Sequence, residues 1–195
     1  MSIVLVGSTS GSITLQEPAV AGTTVLTLPA VSGNVLTDTS PKAGNVIQVQ
    51  TTTTDGVLST TTTGAPTTIT NGVQVFSLSF TPISATSTIL IQTSSIVVQE
   101  STNGGDKSWL ALWNGSTFIA ATSGHASFHS FASNLNVSNL SLNNSYSAGN
   151  TSARTISVRA GMDSGGHTIY VNGNYYDNYT GSSARIQMTV WEIAA

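Results

Sequence analysis

From residue 73 to the C-terminus, apolar and polar residues exchange places at nearly every second position, the spacing of a β-strand with one covered face. Thr155-Ile156-Ser157-Val158-Arg159-Ala160 alternates cleanly, and Arg185-Ile186-Gln187-Met188-Thr189-Val190-Trp191-Glu192-Ile193 closes the chain in the same way. In Val73-Gln74-Val75-Phe76-Ser77-Leu78-Ser79-Phe80 the apolar phase slips between Val75 and Phe76, which predicts a β-bulge. Thr88–Ile91 and Ser95–Val98 read as one long strand or two short ones. Trp109–Trp113 and Phe118–Ala121 flank Asn114-Gly115-Ser116, the plainest hairpin signal in the chain. Residues 126–142 alternate irregularly around Phe128, Phe131, Leu135, Val137 and Leu140. Asp163-Ser164-Gly165-Gly166 turns into Thr168–Val171, and Asn172-Gly173 turns again. No window carries a 3.6-residue apolar period between helix caps. The fold class expected is all-β: an antiparallel β-sandwich, jelly-roll-like, over residues 70–195.

The N-terminal part is thinner. Residues 1–45 hold short apolar bursts, Ser12-Ile13-Thr14-Leu15, Thr24-Val25-Leu26-Thr27-Leu28 and Gly33-Asn34-Val35-Leu36-Thr37, separated by Gly, Ser and Pro and without an aromatic residue. Ordering a residue costs about 1–2 kcal/mol, more than such bursts recover alone. An extended arm that borrows cover from neighbours is expected, with Ile13, Leu15, Val25, Leu26 and Leu28 as its attachment residues. A Thr-rich stretch, 46–69, joins arm to sandwich. Val46–Gln50 reads as a strand, Asp55-Gly56 as a turn, and the threonine runs as a long loop or an edge strand.

Composition narrows the function. The chain has 195 residues, 39% hydrophobic but only 7% charged, with a net charge of −3. Hydroxyl and amide side chains supply the polarity, which suits strand surfaces and turns. Lys42, Lys107, Arg154, Arg159 and Arg185 are scattered. A nucleic-acid partner, which needs clustered phosphate contacts, is not expected. Neither is membrane insertion, because no stretch approaches the roughly 20 apolar residues of a spanning helix. There is no cysteine. The opening Met1-Ser2-Ile3-Val4-Leu5-Val6 lacks the basic flank and length of a signal peptide, so synthesis in a cytoplasm is expected.

Candidate chemistry is sparse. His125 and His129 stand four apart, a spacing that ligates metal on a helix, but no helix is predicted there; no metal site and no cofactor are expected. The acidic residues are scattered, with Glu100 and Asp106 merely flanking one loop, and neither a nucleophile elbow nor a phosphate loop occurs, so no enzymatic activity is expected. The aromatic set is more suggestive. Asn172-Gly173-Asn174-Tyr175-Tyr176-Asp177-Asn178-Tyr179 mixes rings with amides, and Tyr175, Tyr176, Asp177 and Tyr179 are the candidate contacts for a glycan or a protein partner. Trp109 and Trp113, at even spacing, are expected to face the core.

Two stretches carry a resemblance. Ser12–Pro29 resembles a segment common in fibre and virion structural proteins of tailed bacteriophages. The C-terminal part resembles a second phage pattern: a Gly-Gly turn, Gly165-Gly166, leading to a strand that ends at Asn172, and a final strand ending Glu192-Ile193. The resemblance brackets the chain and leaves residues 100–150 unmatched. It implies a homotrimeric β-protein on a virion surface, anchored through its N-terminal part to phage capsid or tail proteins. The chain's modest length favours a capsid decoration (cement) protein or a short fibre. The alternative is an adhesin whose outer loops recognise host-surface glycan.

Overall fold

A computed structural model of the chain describes residues 3–6, 8–15, 20, 42–61, 64–100, 107–124, 127–130, 133–163, 168–172 and 185–195. These divide between two compact units, Met1–Val35 and Leu36–Ala195. In the first, β1 (Ile3–Val6) pairs antiparallel with β2 (Ser12–Leu15), Ile3 opposite Leu15 and Leu5 opposite Ile13.

The second unit is built from β3 (Val46–Asp55), β4 (Leu58–Thr60), β5 (Val73–Phe80), β6 (Thr88–Thr93), β7 (Ile96–Glu100), β8 (Ser108–Asn114), β9 (Thr117–Gly124), β10 (Ser127–Ser130), β11 (Ser133–Leu140), β12 (Asn143–Ser147), β13 (Arg154–Met162), β14 (Ile169–Val171) and β15 (Arg185–Ile193). Two of its sheets, β12-β6-β15-β3 and β10-β11-β7-β14-β4, repeat one strand order. They form one layer whose long strands are interrupted at a common level. Hydrogen bonds bridge the interruption: Thr93 N–H to Leu142 O, Ser94 N–H to Gln187 O and Asn172 N–H to Val97 O, all 2.8–2.9 Å. The other layer is β5-β13-β8-β9.

Counting β3–β4, β6–β7, β11–β12 and β14–β15 as single interrupted strands makes the topology plain. The first strand pairs with the last (β3 with β15, β4 with β14), and β5 pairs with β13. Inside these, β6–β7 pairs with β12 and β11, and β8 with β9. This nested order, wrapped into two layers, is an antiparallel jelly roll. The two layers enclose one core, in which Phe76, Phe80, Leu110, Leu112, Ile156 and Val158 of one meet Ile89, Ile91, Ile96, Val98, Met188 and Val190 of the other.

Several local expectations are realised. The register of β13 on β5 slips between Val158 and Arg159, leaving Val75 and Phe76 both buried. The bulge read from the slipped phase is therefore present. The β8–β9 hairpin turns at Gly115, whose φ of 57° suits glycine. The first threonine run, Thr51–Thr54, takes the strand alternative: it lies in β3 at the edge of its sheet, paired along β15, while of the second run Thr60 ends β4 and residues 62–63 lie outside the described residues. Gly44 and Asn45 are tied to Ala194 by backbone hydrogen bonds of 2.9 Å.

Two expectations are corrected. Asp55-Gly56 does not reverse the chain. Gly56, at φ 79°, interrupts a strand that continues along the same partner as β4. Trp109 and Trp113 are buried, but outside the inter-layer core. With Ala111 they form a separate cluster on the other side of β8, packed by Ile69. The segment 64–72 closes over this side. Trp109 Nε1–H donates to Gly64 O at 3.1 Å, and Arg159 donates to Asn71 O and Gly72 O at 2.8 and 2.6 Å. Strand alternation gave both tryptophans one face correctly, but it does not say which of two faces meets the other layer.

Candidate functional site: the outer face of the first layer

Along β15, Ile186, Met188 and Val190 point into the core while Arg185, Gln187 and Trp191 lie on the opposite side. Antiparallel pairing carries this outward set across the layer in rows. One row runs Thr51, Thr189, Gln92, Asn143; the next runs Val49, Trp191, Leu90, Ser145. Further along, Thr53 pairs with Gln187 and Asp55 with Arg185.

Where the layer is interrupted, its outer face dips. A shallow depression of about 430 Å³ is lined by Gln92, Thr93, Ser94, Arg185, Gln187 and Thr189. Its side chains are organised among themselves: Gln187 Nε2–H donates to Thr189 Oγ1 at 3.0 Å, and Ser94 Oγ accepts the Gln187 N–H at 2.9 Å. Arg185 reaches Asp55 through two parallel contacts, Nε to Oδ1 at 2.8 Å and Nη2 to Oδ2 at 3.2 Å. This bidentate bond holds the Asp55 carboxyl below its ordinary range and raises the Arg185 guanidinium, the reciprocal effect. Because the folded-state value of Asp55 is depressed, the pair stabilises the fold above the usual carboxylate pKa and is lost as pH falls through the depressed value. Arg185→Gln is expected to shift the Asp55 titration midpoint upward, followed by carboxyl NMR; both groups are solvent-exposed, so the melting temperature should barely move.

The depression offers amide and hydroxyl groups, which both donate and accept, and one guanidinium already neutralised in the chain. Asn172 and Arg185 lie at the same interruption, and the sequence between them carries the tyrosines. Asn172 adopts φ 61° and donates from Nδ2 to Gly56 O at 2.9 Å, which fixes the end of β14.

Of the residues singled out from sequence, Ile13 and Leu15 sit on β2, and His129 sits on β10. Tyr175, Tyr176, Asp177, Tyr179, Val25, Leu26, Leu28, His125 and His167 lie outside the described residues. Among the described residues no group of three or more His, Cys, Asp or Glu is placed to hold a metal ion. Gln92, Gln187, Thr189 and Trp191 were not foreseen as a group. Their alternation was visible, but their adjacency depends on β6 and β15 pairing across almost a hundred residues of chain.

Nor was β1 foreseen. Val4, Leu5 and Val6 are exposed by 54%, 56% and 79%. Successive strand residues point to opposite faces, so β1 carries apolar side chains more than half exposed on both faces.

No family model matches the chain, and no curated protein matches it in sequence. Among the solved structures that align with it are several from infectious bursal disease virus. The Gx strain structure aligns at 15% identity and TM-score 0.32, over 98% of this chain and 45% of that one. Derived T=1 particles align at 16% and 0.33, over 95% and 43%. The VP2 subviral particle aligns at 15% and 0.30, over 76% and 38%. The chain spans less than half the length of these proteins. Similarity this loose carries no argument, and the jelly-roll assignment stands on strand order alone.

Proposed function

We propose that this chain is a non-enzymatic structural protein of a virion surface, a homotrimer of the capsid-decoration or short-fibre type, held to the particle through its N-terminal unit. The observation that carries this reading is β1, whose Val4, Leu5 and Val6 are more than half exposed and which pairs, among the described residues, with β2 alone. A two-stranded hairpin is marginal in water by itself, and exposed apolar surface of this sort marks an interaction site. Its cover is a capsid or tail protein. The jelly roll supports the reading by analogy of fold, since capsid domains use it; lectins use it too, so the analogy is weak by itself. A surface polar through Ser, Thr and Asn rather than ions lets copies pack without burying charge.

Deleting residues 1–35 tests the anchor. The remaining unit, Leu36–Ala195, keeps the hydrogen bonds from Gly44 N–H to Ala194 O and from Ala194 N–H to Asn45 O. It is expected to retain its circular dichroism and cooperative melt but to vanish from purified particles, scored by immunoblot of banded virions. Leu5→Asp in the full chain should reduce incorporation in the same direction. Undiminished incorporation of either variant removes the anchor assignment.

A second reading is favoured by the polar depression at the layer's interruption: a receptor-binding adhesin that recognises host-surface glycan there and through Tyr175, Tyr176, Asp177 and Tyr179. Gln, Ser and Thr groups match sugar hydroxyls. A glycan array probed with the parent protein and with Tyr175→Ala and Tyr176→Ala decides it. Binding lost in the variants supports the adhesin, and a blank array with the parent excludes it.

A further inference from the structure

We infer that copies of this chain meet one another through the outer face of the first layer, centred on the row Val49–Trp191–Leu90 and bordered by the edge of β3 that has no backbone partner strand among the described residues. The inference deepens the self-assembly in the proposed function by naming the surface, and it rests on that reading.

Three observations converge on this place. The first is apolar content on the solvent side of the sheet. Val49 and Val46 are 51% and 53% exposed, and they pair across the strands with half-buried Trp191 and Ile193. Leu90 extends the row from the other flank of Trp191. These residues are separate from the core, to which β15 contributes Ile186, Met188 and Val190. A tryptophan beside aliphatic side chains on an open sheet face is the composition of an interface centre.

The second is the edge itself. β3 is ten residues long and terminates its sheet. Among the described residues its only backbone partner strand is β15, although its other-face side chains reach the β5 side, where Thr54 Oγ1–H donates to Val75 O and Gln48 Nε2–H to Thr81 O. Natural sheets blunt such edges with Lys, Pro or a very short strand. β3, Val-Ile-Gln-Val-Gln-Thr-Thr-Thr-Thr-Asp, has no Lys and no Pro. The one charge, Asp55, sits at its end and is satisfied by Arg185.

The third identifies the occupant. Around the apolar row stand Thr51, Thr53, Thr189, Gln92, Gln187 and Asn143, whose hydroxyls and amides each donate and accept. Such a surface complements itself. A face made for an acidic or basic partner would carry the opposite charge, and two like faces would then repel. Among the described residues of these rows the charged pair, Asp55 and Arg185, is neutralised within the chain. Residues near a rotation axis face their own counterparts, so this face can close a symmetric oligomer, the usual state of self-associating proteins.

The test uses the full chain. Sedimentation equilibrium and light scattering give the mass of the parent, of Val49→Lys, and of Phe118→Lys as a control on the outer face of the other layer, where Phe118 is 45% exposed. Val49 is half in solvent, so its lysine variant should keep the parent's melt. The expected result is an assembled parent, a Val49→Lys variant whose association weakens at least ten-fold, and a control that assembles like the parent. Equal assembly of parent and Val49→Lys overturns the inference. So does a monomeric parent. A monomeric parent whose Val49→Lys variant also drops out of particles reassigns the face to another virion protein, again against the inference. Loss of particle incorporation on removing residues 1–35 is read separately, so failure here leaves the anchor reading to its own experiment.

Discussion

Glu192→Ala is expected to destabilise the jelly-roll unit by about 3–4 kcal/mol, a fall in melting temperature on the order of 10 °C. The carboxylate is fully buried, yet it lies on no ion pair among the described residues. Instead it serves the loop between β5 and β6. Oε1 accepts the N–H of Ile83 and of Ser84 at 2.9 Å and the Ser87 hydroxyl at 2.6 Å, while Oε2 also accepts from Ile83 at 2.9 Å. Ser87 in turn accepts the Ala148 N–H through its carbonyl at 2.8 Å, so the loop is locked to the far edge of the layer. Removing the carboxylate takes a charged acceptor from the part-buried N–H groups of Ile83 and Ser84, leaves the buried Ser87 hydroxyl with Ser84 O alone, and opens a void where a fully buried side chain stood. Glu192→Gln keeps one acceptor but turns an NH₂ toward donors, and about half the loss is expected. Urea unfolding measures both, and amide exchange localises the effect to Ile83 and Ser84. A Glu192→Ala loss below about 1 kcal/mol would show that the loop does not depend on this group.

The second large effect is a clash. A methyl group on Gly161 would overlap the Trp109 indole at Cζ2 and stand 2.6 Å from Cε2 and 2.7 Å from Cη2. The ring is 3% exposed and held by its hydrogen bond to Gly64 O, so it cannot swing away without releasing the segment 64–72. Gly161→Ala is therefore expected to cost about 3 kcal/mol, at the upper end for overpacking. Trp109→Leu alone should cost a similar amount through the lost ring. In the double variant the methyl enters the space the indole vacated. Its total loss should fall short of the sum by more than 1 kcal/mol, the signature of two groups in direct contact. Strict additivity in this cycle would mean that Gly161 is not shaped by Trp109.

The two effects divide along what alternation can convey. The bulge at Val75 and Phe76 is legible because two adjacent apolar residues in an alternating strand must both find cover. The β8–β9 hairpin is legible because Asn114-Gly115 supplies a turn between two apolar runs. Glu192 and Gly161 carry no such signal. Each looks like an ordinary position in an alternating strand, and their weight comes from groups more than fifty residues away in sequence. The candidate face is equally non-local. Val49, Leu90 and Trp191 are unremarkable singly and become one row only when three strands align.

The order of residues by itself determined that the chain is all-β and where most strands of the C-terminal part run. These follow from local physics: side-chain period and turn propensity. Only the tertiary structure decided that Asp55-Gly56 interrupts a strand instead of reversing it. Only it placed the tryptophans beneath segment 64–72 instead of between the layers, and left the Val49–Trp191 side open. The reason is that alternation assigns residues to two faces without naming them, and which face is covered depends on strands that pair across most of the chain.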